Sequence, residues 1–130
     1  MDDCLFCKIA SGQIPSTRIW EDDNLLAFLD INPIKPGHTL VIPKKHVDAV
    51  FDIEEPIYSE LFKAAKRLAP LIQNATEAKR MGVMVEGFLV RHAHVHLVPL
   101  HRCGELDFKC AKKAQPEELS RMAMRIRSTL

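Results

Sequence analysis

His92-Ala93-His94-Val95-His96-Leu97-Val98-Pro99 decides how this chain is read, because it sets three of the six histidines at a strict spacing of two. Successive side chains of an extended strand point to opposite faces, so this period puts His92, His94 and His96 in one row. Ala93, Val95 and Leu97 then face a core. A helix would scatter the imidazoles around its circumference, so the alternation predicts a strand. Such a row has three readings. It is the polar face of a half-buried strand; or a metal site, since two histidines two apart on a strand can reach one zinc ion; or a nucleophilic imidazole aimed at an electrophile. Spacing leaves all three open.

Upstream of this row, Met81 to Glu86 predicts another strand, interrupted by Gly87. Two strands over so short a link are expected to be antiparallel neighbours. Arg18 to Glu21 and Leu25 to Leu29 form a hairpin signal around Asp22-Asp23-Asn24. A rigid loop with Pro33, Pro36 and Gly37 leads into a short strand, His38 to Pro43, followed by Lys44-Lys45-His46. Ile57, Leu61, Ala64, Leu68 and Leu71 recur at three- and four-residue steps, predicting an amphipathic helix from Pro56 to about Glu77. Pro70 is expected to kink it or end it early. A last helix opens at Pro116-Glu117-Glu118, with Leu119, Met122, Ala123, Ile126 and Leu130 as its buried stripe. Between them, His101 to Ala114 has no clear period and reads as loop. The sum is an α+β domain, an antiparallel sheet with a long central helix and a C-terminal helix.

At 130 residues the chain is most simply one domain, 1–130, with a core of its own. Hydrophobic residues at 47%, charged residues at 27% and a net charge of +1 are ordinary for a globular protein and leave no electrostatic footprint for nucleic acid or an anionic membrane. The opening Met1-Asp2-Asp3 carries acids where a signal peptide would carry positive charge, so a cytoplasmic protein with reduced cysteines is expected. Cys4 and Cys7 make a C-x-x-C on a short helical turn ended by Ser11-Gly12, which reads as half of a zinc site or as two inert thiols. Cys103 and Cys110 lack that spacing and default to free thiols.

Several stretches match one family in order: Cys4-Leu5-Phe6-Cys7-Lys8-Ile9, Glu21 through Asp30-Ile31, Gly37-His38-Thr39-Leu40-Val41-Ile42-Pro43-Lys44-Lys45-His46, and the histidine row. Through them the sequence resembles the histidine triad hydrolases and transferases, most closely their Hint-like branch. That resemblance implies a nucleotide hydrolase acting on purine nucleotide phosphoramidates or dinucleoside polyphosphates. His94 would attack the α-phosphorus and form a covalent nucleotidyl-histidine, its tautomer set by the His92 carbonyl. His96 and His38 would contact phosphate oxygens. Phe6, Ile9, Phe28 and Ile31 would hold the base, and Asp30 the ribose hydroxyls. Cys4, Cys7, His46 and His92 would hold a structural zinc ion, with no open position to activate water. A homodimer built on the long helix and a sheet edge is also implied.

The chain departs from that family just before the triad, where the loop also looks shortened, Val83-Met84-Val85-Glu86-Gly87 lacking the usual asparagine. Hint-like proteins usually carry G-Q-S-V before the triad, with polar side chains touching the phosphate; here the stretch is Gly87-Phe88-Leu89-Val90. At least two neutral hydrogen bonds are therefore missing, at about 0.5–1.5 kcal/mol each. Phe88 and Leu89 are expected to line a more apolar leaving-group pocket. Two rivals to the hydrolase stand beside it: a non-catalytic module binding nucleotide or a protein partner, and a metalloenzyme whose histidine row holds a catalytic ion.

Overall fold

The structure is a computed structural model that describes residues 3–130. Helix α1 (Leu5–Ser11) is followed by strands β1 (Arg18–Glu21), β2 (Leu25–Leu29) and β3 (Thr39–Pro43), helix α2 (Ile57–Thr76), strands β4 (Arg80–Met84) and β5 (Val95–Leu100), and helix α3 (Pro116–Arg127). Short 3-10 turns at Val50–Asp52 and Phe108–Cys110 interrupt the loops. The five strands form one antiparallel sheet in the order β1-β2-β3-β5-β4. The α+β architecture with a long central helix and a C-terminal helix is as expected.

Both faces of the sheet are covered, and the alternation in β2, β3 and β5 sorts the chain between them. Leu25, Ala27, Leu29, Val41, Val95 and Leu97 join the larger core, where α2 contributes Leu61, Leu68 and Ile72 and α3 contributes Ala123 and Ile126. Leu26, Phe28, Leu40 and Ile42 point the other way and pack with Phe6 and Ile9 of α1. This double burial is why Leu25–Leu29 and Thr39–Pro43 run as buried stretches without a wet face. His94 and His96 belong to the α1 side, since their neighbours Ala93, Val95 and Leu97 sit in the larger core.

Two glycines carry turns that position the site. Gly12 caps α1 at φ 87°, and its N–H returns to the Ile9 carbonyl. Gly37, at φ 99°, closes the loop ahead of His38 against the end of α2; a Cβ there would lie 2.6 Å from the Thr76 methyl carbon.

Four expectations are corrected. The strand carrying the histidines begins at Val95, because residues 92–94 leave the β3 ladder and the Ala93 N–H bonds instead to the Val47 carbonyl at 2.6 Å. β4 ends at Met84, so Val85 and Glu86 lie outside the sheet. Leu130 is exposed rather than part of the α3 stripe, since the helix stops at Arg127. Finally, Pro70 does not end α2, which continues to Thr76. Pro70 lies on the solvent side with Lys66 and Arg67, where a freed carbonyl is hydrated. Burial of Leu61, Leu68 and Ile72, each 0% exposed, contributes about 1.5–3 kcal/mol apiece and outweighs the cost of about 3 kcal/mol for an interior proline.

Candidate active site

A cleft of about 560 Å³ opens on the α1 side of the sheet and is lined by His94 and His96, by Phe6, Ile9 and Phe28, and by Asp30. The two imidazoles are neighbours, with ring centroids 4.8 Å apart. Phe6 meets His94 edge-on at 5.0 Å and Phe108 meets His96 edge-on at 5.2 Å, so the pair is wedged between two aromatic rings.

Hydrogen bonds fix which nitrogen of each ring carries the proton. His94 Nδ1 lies 2.7 Å from the His92 carbonyl and must donate to it, which leaves the Nε2 lone pair as the ring's free function. His38 Nδ1 accepts the Ile34 backbone N–H at 3.0 Å, so its proton is on Nε2. That proton is donated to His96 Nδ1 at 2.8 Å, and His96 in turn carries its own proton on Nε2. One backbone N–H thus sets two tautomers in series, presenting a lone pair on His94 beside an N–H donor on His96. Burial lowers the pKa of His38, His94 and His96, His96 to about 3, so all three are neutral at pH 7. The Asp30 carboxylate stands 3.6 Å from His38 Nε2 and accepts the Asn32 N–H at 2.8 Å, keeping an edge toward the cleft.

Of the expected base-binding residues, Phe6, Ile9 and Phe28 are buried against one another, whereas Ile31 is 58% exposed on the cleft rim. Phe88 and Leu89 line the same cleft. Two contributors carried no signal in the sequence. Phe108 and Ala111 enter the cleft from a stretch without period, pinned to its rim by the Lys112 N–H to Pro33 carbonyl and Ala114 N–H to Ile31 carbonyl bonds. Ser16 also lines the cleft, and its buried hydroxyl has no hydrogen-bond partner among the described residues.

Behind the cleft, Cys4, Cys7, His46 and His92 bring four ligand atoms within 4.8 Å of one another. His92 donates its Nε2–H to the Pro43 carbonyl at 2.7 Å, so its Nδ1 lone pair faces the Cys4 and Cys7 sulfurs at 3.3 and 3.4 Å. His46 Nδ1 is 3.4 Å from the Cys7 sulfur. Zinc at about 2.3 Å from sulfur and about 2.0 Å from nitrogen sets tetrahedral neighbours about 3.5 Å apart, so the donor set fits that ion in type and spacing. The carbonyl bond to the distal nitrogen is the usual support for a ligating histidine. Asp30, His38 and His96 also cluster within 4.8 Å, but the His38–His96 hydrogen bond already accounts for that closeness.

The HIT domain model matches residues 11–103. An uncharacterized HIT-like protein of Borreliella burgdorferi is 33% identical over 97% of this chain and 97% of its own. The adenosine 5′-monophosphoramidase of Candida albicans is 33% identical over 74% of this chain and 69% of its own. Among solved structures, a Hit-like protein of Bartonella henselae superimposes with a TM-score of 0.88 at 32% identity, covering 100% of this chain and 98% of that one. A zinc-bound histidine triad protein of Mycobacterium smegmatis does so at 0.83 and 30% identity, covering 98% and 92%. With the sheet order and the histidine row, these matches show that the chain belongs to the HIT domain family.

Proposed function

We propose that this protein is a nucleotide hydrolase that cleaves purine nucleotide phosphoramidates or dinucleoside polyphosphates at the α-phosphorus through a covalent nucleotidyl-histidine on His94. One observation carries the reading: the His94 Nδ1–H is tied to the His92 carbonyl, which leaves a neutral Nε2 lone pair beside the His96 donor in a nucleotide-sized cleft. No separate base is needed, because burial keeps the ring neutral and its other nitrogen is already protonated. The His92 carbonyl then stabilises the positive charge that His94 acquires on attack. His96, with its Nε2–H fixed by His38, donates to a phosphoryl oxygen as charge develops there. Phe6, Ile9, Phe28 and Ile31 hold the base, and Asp30 holds the ribose hydroxyls. The Candida relative's activity on an adenosine 5′-phosphoramidate supports this substrate class.

Cys4, Cys7, His46 and His92 would hold zinc as a four-ligand structural ion that ties α1 to the sheet. The reading includes a homodimer. β4 is an edge strand with Val83 exposed at 55%, and Val85 just beyond its end is exposed at 42%, an unpaired edge suited to a second copy.

The test is AMP release from adenosine 5′-phosphoramidate by the wild type and by His94→Ala, with melting curves to establish that both fold. Turnover in the wild type that drops by at least about a thousandfold in the variant is expected. Equal turnover in both refutes the nucleophile, and AMP affinity without turnover in either favours the non-catalytic binding module.

A further inference from the structure

The loop between β4 and the histidines is where the chain spends large apolar side chains on solvent. Phe88 is 77% exposed and Leu89 91%, yet both line the cleft that holds His94 and His96. Exposed apolar groups of that size beside a cavity mark a surface awaiting a ligand. The loop is anchored at its far end, where Val90 packs on the Phe6–Phe28 cluster, and Gly87 supplies the turn at φ 87°. Neither Phe88 nor Leu89 can donate a hydrogen bond to a phosphate.

Charge points the same way. The charged residues lining the cleft are Asp30 and Glu86, both acidic, and no lysine or arginine lines it among the described residues. Lys109 and Lys112 flank Phe108 and Ala111 in the chain but are not part of the lining. A polyphosphate leaving group would bring several negative charges beside Glu86 with no cation to offset them. An amine with an apolar body meets neither obstacle.

We infer that Phe88 and Leu89, with Glu86 beside them, form a leaving-group wall that selects a neutral or cationic amine with an aromatic or branched alkyl body and rejects polyanions. The inference rests on the hydrolase reading of His94. In the step it serves, the bond from His94 Nε2 to phosphorus forms as the phosphorus–nitrogen bond breaks, and the departing amine takes a proton from water. The hydroxide left by that water, or a second water giving its proton to that hydroxide, then adds to phosphorus, breaking the bond to Nε2, freeing neutral His94 and giving the nucleoside monophosphate.

The experiment compares kcat/KM for unsubstituted adenosine 5′-phosphoramidate, its N-phenylethyl derivative and diadenosine tetraphosphate, in the wild type and in Phe88→Gln/Leu89→Ser. The wild type is expected to favour the phenylethyl substrate over the unsubstituted one by about ten- to a hundredfold, with the tetraphosphate poorest. In the double variant that ratio should fall to about threefold or less; if the double variant does not fold, Leu89→Ser alone is read for the same direction. A ratio that the substitutions leave unchanged, or a tetraphosphate preferred by the wild type, overturns the wall. Absence of turnover with all three substrates refutes the hydrolase reading instead. The wall is then read from calorimetric affinities of the same compounds for His94→Ala: tightening by the phenylethyl group that disappears when Phe88 and Leu89 are also replaced supports it, and equal affinities overturn it.

Discussion

His92 and His94 stand two residues apart in one motif and are held in opposite tautomers. The Pro43 carbonyl takes the proton of His92 Nε2, turning its Nδ1 toward two sulfurs. The His92 carbonyl takes the proton of His94 Nδ1, leaving its Nε2 as the free lone pair. Two residues of identical chemistry therefore present different nitrogens, according to which backbone oxygen each ring meets. The spacing that aligns them says nothing of that difference. It is made by the chain leaving the β3 ladder before Val95, which lets residues 92–94 follow the segment from Pro43 to Val47.

If that division of labour is right, the two histidines fail differently when removed. His94→Ala removes the attacking lone pair but no ligand of the Cys–His cluster; activity should fall by at least about a thousandfold while zinc content, read by atomic absorption, stays near one per chain. His92→Ala should lower zinc content and melting temperature together. Zinc retained in full by His92→Ala, or lost from His94→Ala, would break the contrast.

His38→Ala sharpens the other half. Without its Nε2–H, His96 Nδ1 loses the donor that fixes its tautomer, and the donor to the phosphoryl oxygen is no longer preset. A loss of about ten- to a hundredfold in kcat, with a smaller change in AMP affinity, is expected. A change in affinity alone would place His38 in nucleotide binding rather than in setting the tautomer.

Cys4→Ser/Cys7→Ser probes the cluster while leaving His94, His96 and His38 with their own hydrogen-bond partners. Zinc should be lost and the melting temperature should drop by several degrees, as for the loss of about 1–2 kcal/mol in a domain of this size. At a temperature where the variant is folded, kcat should stay within about threefold of wild type if the cluster holds a structural ion alone. A collapse of kcat in a folded, zinc-free variant would instead favour a catalytic ion.

Much of this was legible in the residues. The alternation around His94 places Ala93, Val95 and Leu97 in the larger core, and Asp30 stands at the cleft beside His38. The C-x-x-C meets His46 and His92 because helix α1 packs its Phe6 on the same face as the histidines. Other parts had no residue signal to read. The Ile34 N–H that sets the His38 tautomer is a backbone group every non-proline residue has. Phe108 sits in a stretch held by two backbone hydrogen bonds to the loop after β2, where pairing, not periodicity, aims the side chain. Pro70 does not stop the helix because solvent exposure of its turn decides its cost, and exposure comes from the fold.

The smallest effect separates the buried relay from the exposed surface by pH. His38 and His96 have pKa values lowered by burial, so between about pH 6.5 and the folded values the unfolded chain binds protons that the folded chain refuses. The stabilisation is therefore complete above about pH 6.5 and is lost as pH falls toward about 3 for His96. Glu105 adds a second loss only below the usual carboxylate range. The His101 N–H and the Lys35 ammonium hold it at about 2, and its stabilisation disappears as pH falls through that value. Melting temperature measured from pH 7 to 4.5 should thus decline mainly through histidines, and His96→Phe should flatten that decline by at most about 1.4 kcal/mol per pH unit. Glu105→Gln should lower the melting temperature across the same window without changing its slope, and the difference from wild type should disappear only in stronger acid. A slope that His96→Phe does not alter would mean that His96 is protonated in the folded chain, and the chain of tautomers from Ile34 to the cleft would then be broken at its last member.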